Sequence, residues 1–189
     1  MDRGTDEELV RRFVDGDRDA FSDLVERHQS RVYNIAFRML GGREEALDAA
    51  QDVFLTCLRK LHGFRGQSAF TTWLHRVTVN VCLDTIRRRR PEQPSGDELP
   101  EMPVADPSDS AAQAVDVQRA LLAVPEEFRT VLVLHDVQGQ PYETIAEILG
   151  APVGTVKSRL HRGRVALGRA LRGEQLGALP TSNLEETTE

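Results

Sequence analysis

The sequence predicts an all-α protein built as two small helical domains joined by a flexible acidic linker. Three observations carry that expectation. Apolar residues recur at intervals of three and four in each apolar-rich block, the period of a helix with one buried face. Between the blocks lies "RPEQPSGDELPEMPVADPSDSAAQA", with five Pro and almost nothing large and apolar, which cannot bury enough surface to offset the entropy of ordering it. Only 5% of the 189 residues are aromatic, so any core is mostly aliphatic. The expected organisation is a first domain at 6–90, a linker at 91–112, a second domain at 113–173 and a disordered tail at 174–189.

Along the chain, a first helix is expected near residues 6 to 27. In "SRVYNIAFRMLGG", Val32, Ile35, Ala36, Met39 and Leu40 keep the helical period, and the Gly41-Gly42 pair supplies a stop. "REEALDAAQDVFLTCLRKL" repeats the pattern through Leu47, Ala50, Phe54, Cys57, Leu58 and Leu61. Its acids stand in the first turn and its basic residues in the last, the order that suits the helix dipole. "FTTWLHRVTVNVCLDTIRRRR" puts Phe70, Trp73, Leu74, Val77 and Val81 on one face, while its β-branched content leaves a strand over 77 to 81 as the lesser reading. That spacing makes Trp73 a core residue more than a wedge. The second block reads as four shorter helices near residues 113 to 123, 126 to 137, 142 to 149 and 153 to 172.

The formal net charge of -6 is unevenly placed. Residues 1 to 90 carry 16 Lys or Arg against 14 Asp or Glu; residues 91 to 118 carry none against seven; residues 119 to 173 carry eight against five; the tail carries none against four. Both apolar-rich blocks are thus mildly basic, and the acidic total does not exclude a nucleic-acid partner. No run of about 18 apolar residues appears, and "MDRGTDEELVRRF" is charged where a signal peptide needs an apolar stretch. The expectation is a cytoplasmic chain with no membrane insertion. Cys57 and Cys82 form no CxxC and are expected as buried, reduced thiols. Asp, Glu and His scatter without a convergent cluster, so no cofactor, metal or catalytic centre is expected, and the chain does not read as an enzyme.

One segment gathers positive charge. "AEILGAPVGTVKSRLHRGRVALGRALR" holds six basic residues and one acidic one. Its first half has helix-turn-helix spacing: Ala146 is small where two helices cross, Gly150 stands where the turn needs a positive φ, and Val156 packs the second helix on the first. Ile145, Leu149 and Leu160 complete a small core. Thr155, Ser158, Arg159 and Arg162 then share an outward face, flanked by Lys157 and Arg164. Such a helix fits a DNA major groove, where Arg reads guanine edges and Lys, Ser and Thr hold phosphates.

Together the blocks resemble a known family. "LLAVPEEFRTVLVLHDVQGQPYETIAEILGAPVGTVKSRLHRGRVAL" is similar to region 4 of bacterial RNA polymerase sigma factors, and the stretch from "DAFSDLVERHQ" to "FTTWLHRVTVNVCLDTIRRRR" is similar to their region 2. The chain leaves no room for regions 1.1 or 3, the layout of the extracytoplasmic-function (ECF) group. The resemblance spans roughly residues 6 to 172. It departs at Pro141 and Pro152, which stand where Ser is common at the starts of the two helices; Pro is tolerated there, with weakened capping.

The resemblance implies a sigma subunit that directs core polymerase to promoters. It implies that Thr155, Lys157, Ser158, Arg159, Arg162 and Arg164 meet the −35 element. It further implies that Asp48, Gln51, Asp52 and Leu55, a mainly polar face at helical spacing, dock on the β′ clamp coiled coil, with the β flap as a second polymerase contact. The stretch from Phe64 to Arg90 corresponds to the part that captures the −10 non-template strand. In it Arg65, Gln67 and Ser68 can supply donors from a Gly-rich loop, and Arg87, Arg88, Arg89 and Arg90 can neutralise phosphates. Asn80 stays open between a base contact and plain helix surface. Promoter DNA and an anti-sigma factor are the other implied partners. The alternative is a two-domain helix-turn-helix regulator that acts without polymerase.

Overall fold

The computed structural model describes residues 4–89 and 109–174. Among these, eight α-helices occur and no strand. The first block contains α1 (Asp6–Val14), α2 (Arg18–Leu40), α3 (Arg43–Lys60), a 3-10 turn (Leu61–Gly63) and α4 (Phe70–Arg89). The second contains α5 (Asp109–Ala123), α6 (Glu126–Leu132) running into a π-helical turn (Val133–Val137), α7 (Tyr142–Leu149) and α8 (Val153–Leu171). Arg90, most of the expected linker and nearly all of the expected tail lie outside the described residues.

The first two helices divide later in the chain in the sequence reading than in the structure. A break was expected after residue 27; it falls instead at Asp15–Asp17, and α2 runs unbroken through 28–30. The cause is local. Gly16 takes a φ of +104°, and the Asp17 carboxylate accepts from the backbone N–H groups of Asp19 and Ala20, capping α2. Upstream, Thr5 and Glu8 form a reciprocal capping box that starts α1. The start of α5 at Asp109 likewise precedes the expected 113.

Within the first block, Leu9, Leu24, Val53, Leu61, Phe70 and Leu74 belong to one apolar cluster. Trp73 packs at its edge in tilted ring contacts with Phe64 and Phe70, 5.5 and 5.9 Å between centroids. Residues 77 to 81 are helical, and the hydroxyl of buried Thr78 is satisfied by donating to the Leu74 carbonyl at 2.8 Å. Helix α4 is buried on more than the single face its spacing suggested: Thr72, His75, Val79 and Cys82 are buried as well. The extra burial has a reason, since α4 packs on α2 and α3 and also against α7 of the second block.

A second apolar cluster crosses between the blocks. Ile35, Met39 and Val79 from the first share it with Leu121, Phe128 and Ile145 from the second. Both cysteines are free and buried, and burial pushes each thiol up to about 12.

Candidate functional site

Helix α7, the Gly150 turn and α8 form the helix-turn-helix. Gly150 adopts the left-handed conformation at φ +60° and ends α7. Ile145, Val156 and Leu160 are buried between the helices and Ala146 packs beside them. Pro141 and Pro152 occupy the N-cap positions themselves, one residue before the first turn, and provide no side-chain cap. A close approach missed in the sequence lies on the inner side of α8. A Cβ at Gly163 would stand 3.0 Å from Leu132 and 3.2 Å from the Phe128 carbonyl, so glycine there lets α8 pack closely on α6.

The buried positions Val156, Leu160, Gly163 and Ala166 fix which way α8 faces. Opposite them stand Gly154, Lys157, Ser158, His161 and Val165, all exposed, with half-buried Thr155, Arg159 and Arg162 along one flank. His161 was missed in the sequence reading, although it stands nearly opposite the buried run Val156, Leu160, Gly163 and Ala166 on the helical wheel. Arg159 leans toward Glu127, 3.7 Å between Nη2 and Oε2, and Lys157 lies over the Tyr142 ring, 5.6 Å from its centroid. Arg164 is separated from the group. Its guanidinium donates to both carboxylate oxygens of Asp136, at 2.6 and 3.1 Å, and this pairing holds the Asp136 carboxyl below its usual range. The π-helical turn presents Asp136 there, with His135 stacked on Tyr142 at 5.0 Å.

On α3, Asp48, Gln51, Asp52 and Leu55 are all exposed and share one face, as their spacing predicts. Leu55 at 46% and Leu47 at 53% exposure are large apolar groups left open to solvent. Gln51 borders a groove of roughly 560 Å³ between α2 and α3, whose lining includes Gln29, Tyr33, Asn34, Leu47 and Phe54. The α2 side of this groove carried no sequence signal, because its residues lie on the edge of a stripe that reads as ordinary core periodicity. Asp52 borders a second, polar depression of roughly 490 Å³ shared with Arg59, Asp84, Arg87 and Arg88.

The loop between the 3-10 turn and α4 is pinned by Phe64, whose ring meets Phe70 edge-on. Gly66 turns it at φ +65°, leaving Arg65 and Gln67 exposed and Ser68 half-buried. Asn80 is exposed on α4, and Arg76 and Arg87 fall on the same stripe at spacings of four and seven. The expected arginine cluster is not a single unit. Arg87 pairs with Asp84 at 2.9 Å and Arg88 donates to the Thr85 hydroxyl at 3.3 Å. Arg89 turns inward instead, pairing with Glu45 and donating to the Leu40 carbonyl at 3.2 Å. Arg76 was not singled out from the sequence; it donates to the Glu147 carbonyl of α7 at 2.8 Å.

Among the described residues no helix is long and apolar enough to cross a membrane, and no group of His, Cys, Asp and Glu is arranged to hold a metal ion. What the geometry offers is a helix-turn-helix with a polar and basic outer face on α8, an exposed, mainly polar face on α3 and a basic loop-and-helix surface, all on one helical chain.

Comparison with known proteins gives that combination its class. The models for Sigma-70 region 2 and Sigma-70, region 4 match residues 24–92 and 114–167. The ECF RNA polymerase sigma factor SigW of Bacillus subtilis (strain 168) is 36% identical over 177 residues, covering 86% of this chain and 95% of the relative. The ECF RNA polymerase sigma factor SigM of Mycobacterium tuberculosis (strain ATCC 25618 / H37Rv) is 41% identical over 169 residues, covering 88% of this chain and 85% of the relative. A solved structure of CnrH in complex with the cytosolic domain of CnrY superposes with a TM-score of 0.68 at 26% identity, covering 89% of this chain and 97% of that one. The architecture and the matches define a DNA-binding regulatory subunit of RNA polymerase, not an enzyme. The chain belongs to the ECF sigma factors.

Proposed function

We propose that this sigma factor binds core polymerase through α3 and directs initiation at promoters whose −35 and −10 elements it reads with separate blocks. The observation that carries the reading is the coexistence on one chain of the α8 outer face and the Asn80 stripe with its neighbouring loop. A regulator of duplex DNA alone has no use for the second. Ser158, Lys157, His161, Thr155, Arg159 and Arg162 are the −35 candidates. Arg65, Gln67, Ser68, Asn80 and Arg87 to Arg90 are the −10 candidates, with Arg89 given a structural share. Asp48, Gln51, Asp52 and Leu55 meet the β′ clamp, with the α2–α3 groove beside them to receive an apolar side chain, and the second block meets the β flap. A cytoplasmic location goes with that partner.

Control by an anti-sigma factor belongs to the same proposal. The exposed Leu47 and Leu55 beside the groove support it, since a protein that covers them also covers the polymerase face. The domain limits 6–90 and 113–173, with a linker between, are part of this reading. The deciding experiment is transcription by core polymerase from candidate promoters with and without the chain. Transcripts from defined starts only in its presence support the reading, and duplex binding without any dependence of transcription on the chain favours the regulator.

A further inference from the structure

The chain carries 22 Arg and two Lys, Lys60 and Lys157. Lys157 is exposed on the outer face of α8, and its Nζ lies over the ring of Tyr142, 5.6 Å from the centroid. The negative face of a phenol ring attracts an ammonium at this range. A lysine side chain without such a partner keeps a wide choice of rotamers, and any contact it makes must first remove that freedom.

The ring is itself held in place. Tyr142 begins α7 directly after the Pro141 cap and is half-buried. His135 stacks on it, 5.0 Å between centroids and 16° from parallel. The imidazole is fixed in turn, its Nδ1 standing 2.7 Å from the Asp136 carboxylate. Asp136 is ionised, because the Arg164 guanidinium beside it holds its carboxyl below the usual range. A carboxylate only accepts, so the imidazole proton stands on Nδ1 and points at Asp136. The π-helical turn Val133–Val137 supplies the placement. It closes from the Gln138 N–H to the Val133 carbonyl at 3.0 Å, five residues apart where an α-turn spans four. Two adjacent residues of this turn meet different helices: His135 reaches Tyr142 on α7 and Asp136 reaches Arg164 on α8.

We propose that Asp136, His135 and Tyr142 form a seat that holds the Lys157 ammonium ready for a DNA backbone phosphate. Lys157 then supplies affinity and reads no base, and Tyr142 and His135 are its positioning residues. The proposal rests on the reading of α8 as the DNA-facing helix. In a helix-turn-helix the second helix lies in the major groove while the first crosses the sugar-phosphate backbone. A cation tethered to the first residue of α7 therefore stands at the backbone edge of the groove, away from its floor. The residue type agrees with that task. A compact ammonium suits a single phosphate oxygen as a point charge, whereas the guanidinium fork of Arg159 or Arg162 suits the paired acceptors of a base edge.

The test begins with the full chain free in solution, labelled with carbon-13 at the lysine ε position and observed by NMR. Two signals are expected, and Lys157→Arg, which removes one, assigns them. The seat predicts Lys157 ε protons upfield of those of Lys60, in the shielded region over a ring face. Tyr142→Leu and His135→Ala should each move them toward the Lys60 position, whereas Tyr142→Phe, which keeps the ring, should not. Lys157 signals that coincide with those of Lys60 in the parent overturn the proposal.

The second part measures binding of the holoenzyme to a promoter from which the chain directs transcription, and to duplexes that differ from it by single base pairs in the −35 element. Lys157→Ala should weaken all of them by the same factor and lower the salt slope by about 1. Tyr142→Leu and His135→Ala, with helicity checked by circular dichroism, should each weaken binding by about two- to fivefold. Neither should weaken it further once Lys157 is alanine, and Tyr142→Phe should bind as the parent does. A Lys157→Ala loss that vanishes when one particular base pair is changed overturns the proposal, and so do equal losses with and without Lys157. If the parent holoenzyme starts no transcript and binds none of the duplexes, the promoter reading fails, and the lysine signals still decide whether the seat exists.

Discussion

Arg164 holds both carboxylate oxygens of Asp136 with one edge of its guanidinium, Nη2 at 2.6 Å and Nε at 3.1 Å, twenty-eight residues away along the chain. That pairing separates two arginines of α8 that the sequence treats alike. Arg162→Ala should lower promoter affinity by about 1–3 kcal/mol if the guanidinium reads a base edge. Arg164→Ala should leave promoter affinity nearly unchanged and instead cost about 1 kcal/mol of stability, the worth of a half-exposed ion pair. Competition binding against random duplex, alongside chemical denaturation, separates the two.

The α3 face proposed for docking yields a second expectation. Leu47→Asp should weaken retention of core polymerase by about 1–2 kcal/mol, because it places a charge at the mouth of the α2–α3 groove. Asp52→Lys should act in the same direction from the other edge of the face. Both positions are exposed, so helicity should not change. Core retention equal to the parent's in a pull-down would remove α3 as the docking surface.

His75 is 1% exposed, and neither ring nitrogen has a hydrogen-bond partner. Burial, with Arg31 and His28 nearby, lowers its pKa from 6.5 to about 4. Between those values the unfolded chain binds more protons than the folded one. The stability that a neutral His75 permits is therefore complete above pH 6.5 and lost as the pH falls toward 4, by up to about 3 kcal/mol. Denaturation at pH 7 and at pH 4.5 should show the loss, and His75→Leu should flatten it.

Two glycines of α8 should respond oppositely to alanine. At Gly163 the added methyl meets Leu132 at 3.0 Å and the Phe128 carbonyl at 3.2 Å, so overpacking should outweigh the gain in helix propensity and cost about 1 kcal/mol. At Gly168 the nearest neighbour is the flexible end of Arg172, at 3.5 Å. There alanine should stabilise by about 0.5–1 kcal/mol. Thermal melts of the two variants check both signs.

The helices and the helix-turn-helix were legible because each rests on local period and on the Ala146, Gly150, Val156 spacing. The α3 face was legible for the same reason. The break at Gly16 was missed because apolar spacing continues across it, and only the capping role of Asp17 marks the new start. Arg89 and Arg164 were grouped with DNA-facing arginines because their charge is visible in sequence while their acidic partners, Glu45 and Asp136, lie on other elements. The second buried side of α4 depends on α2 and on α7 of the other block, which no local window contains. His161 is exposed on α8, but a single imidazole among arginines makes no pattern of its own in sequence.

The two native thiols have a consequence for what this protein can sense. Burial pushes each up to about 12, so far less thiolate is present at neutral pH than at an ordinary exposed cysteine. Peroxide and disulfide reagents react with thiolates, and here they find almost none. Neither thiol therefore offers an oxidative stimulus a ready point of attack.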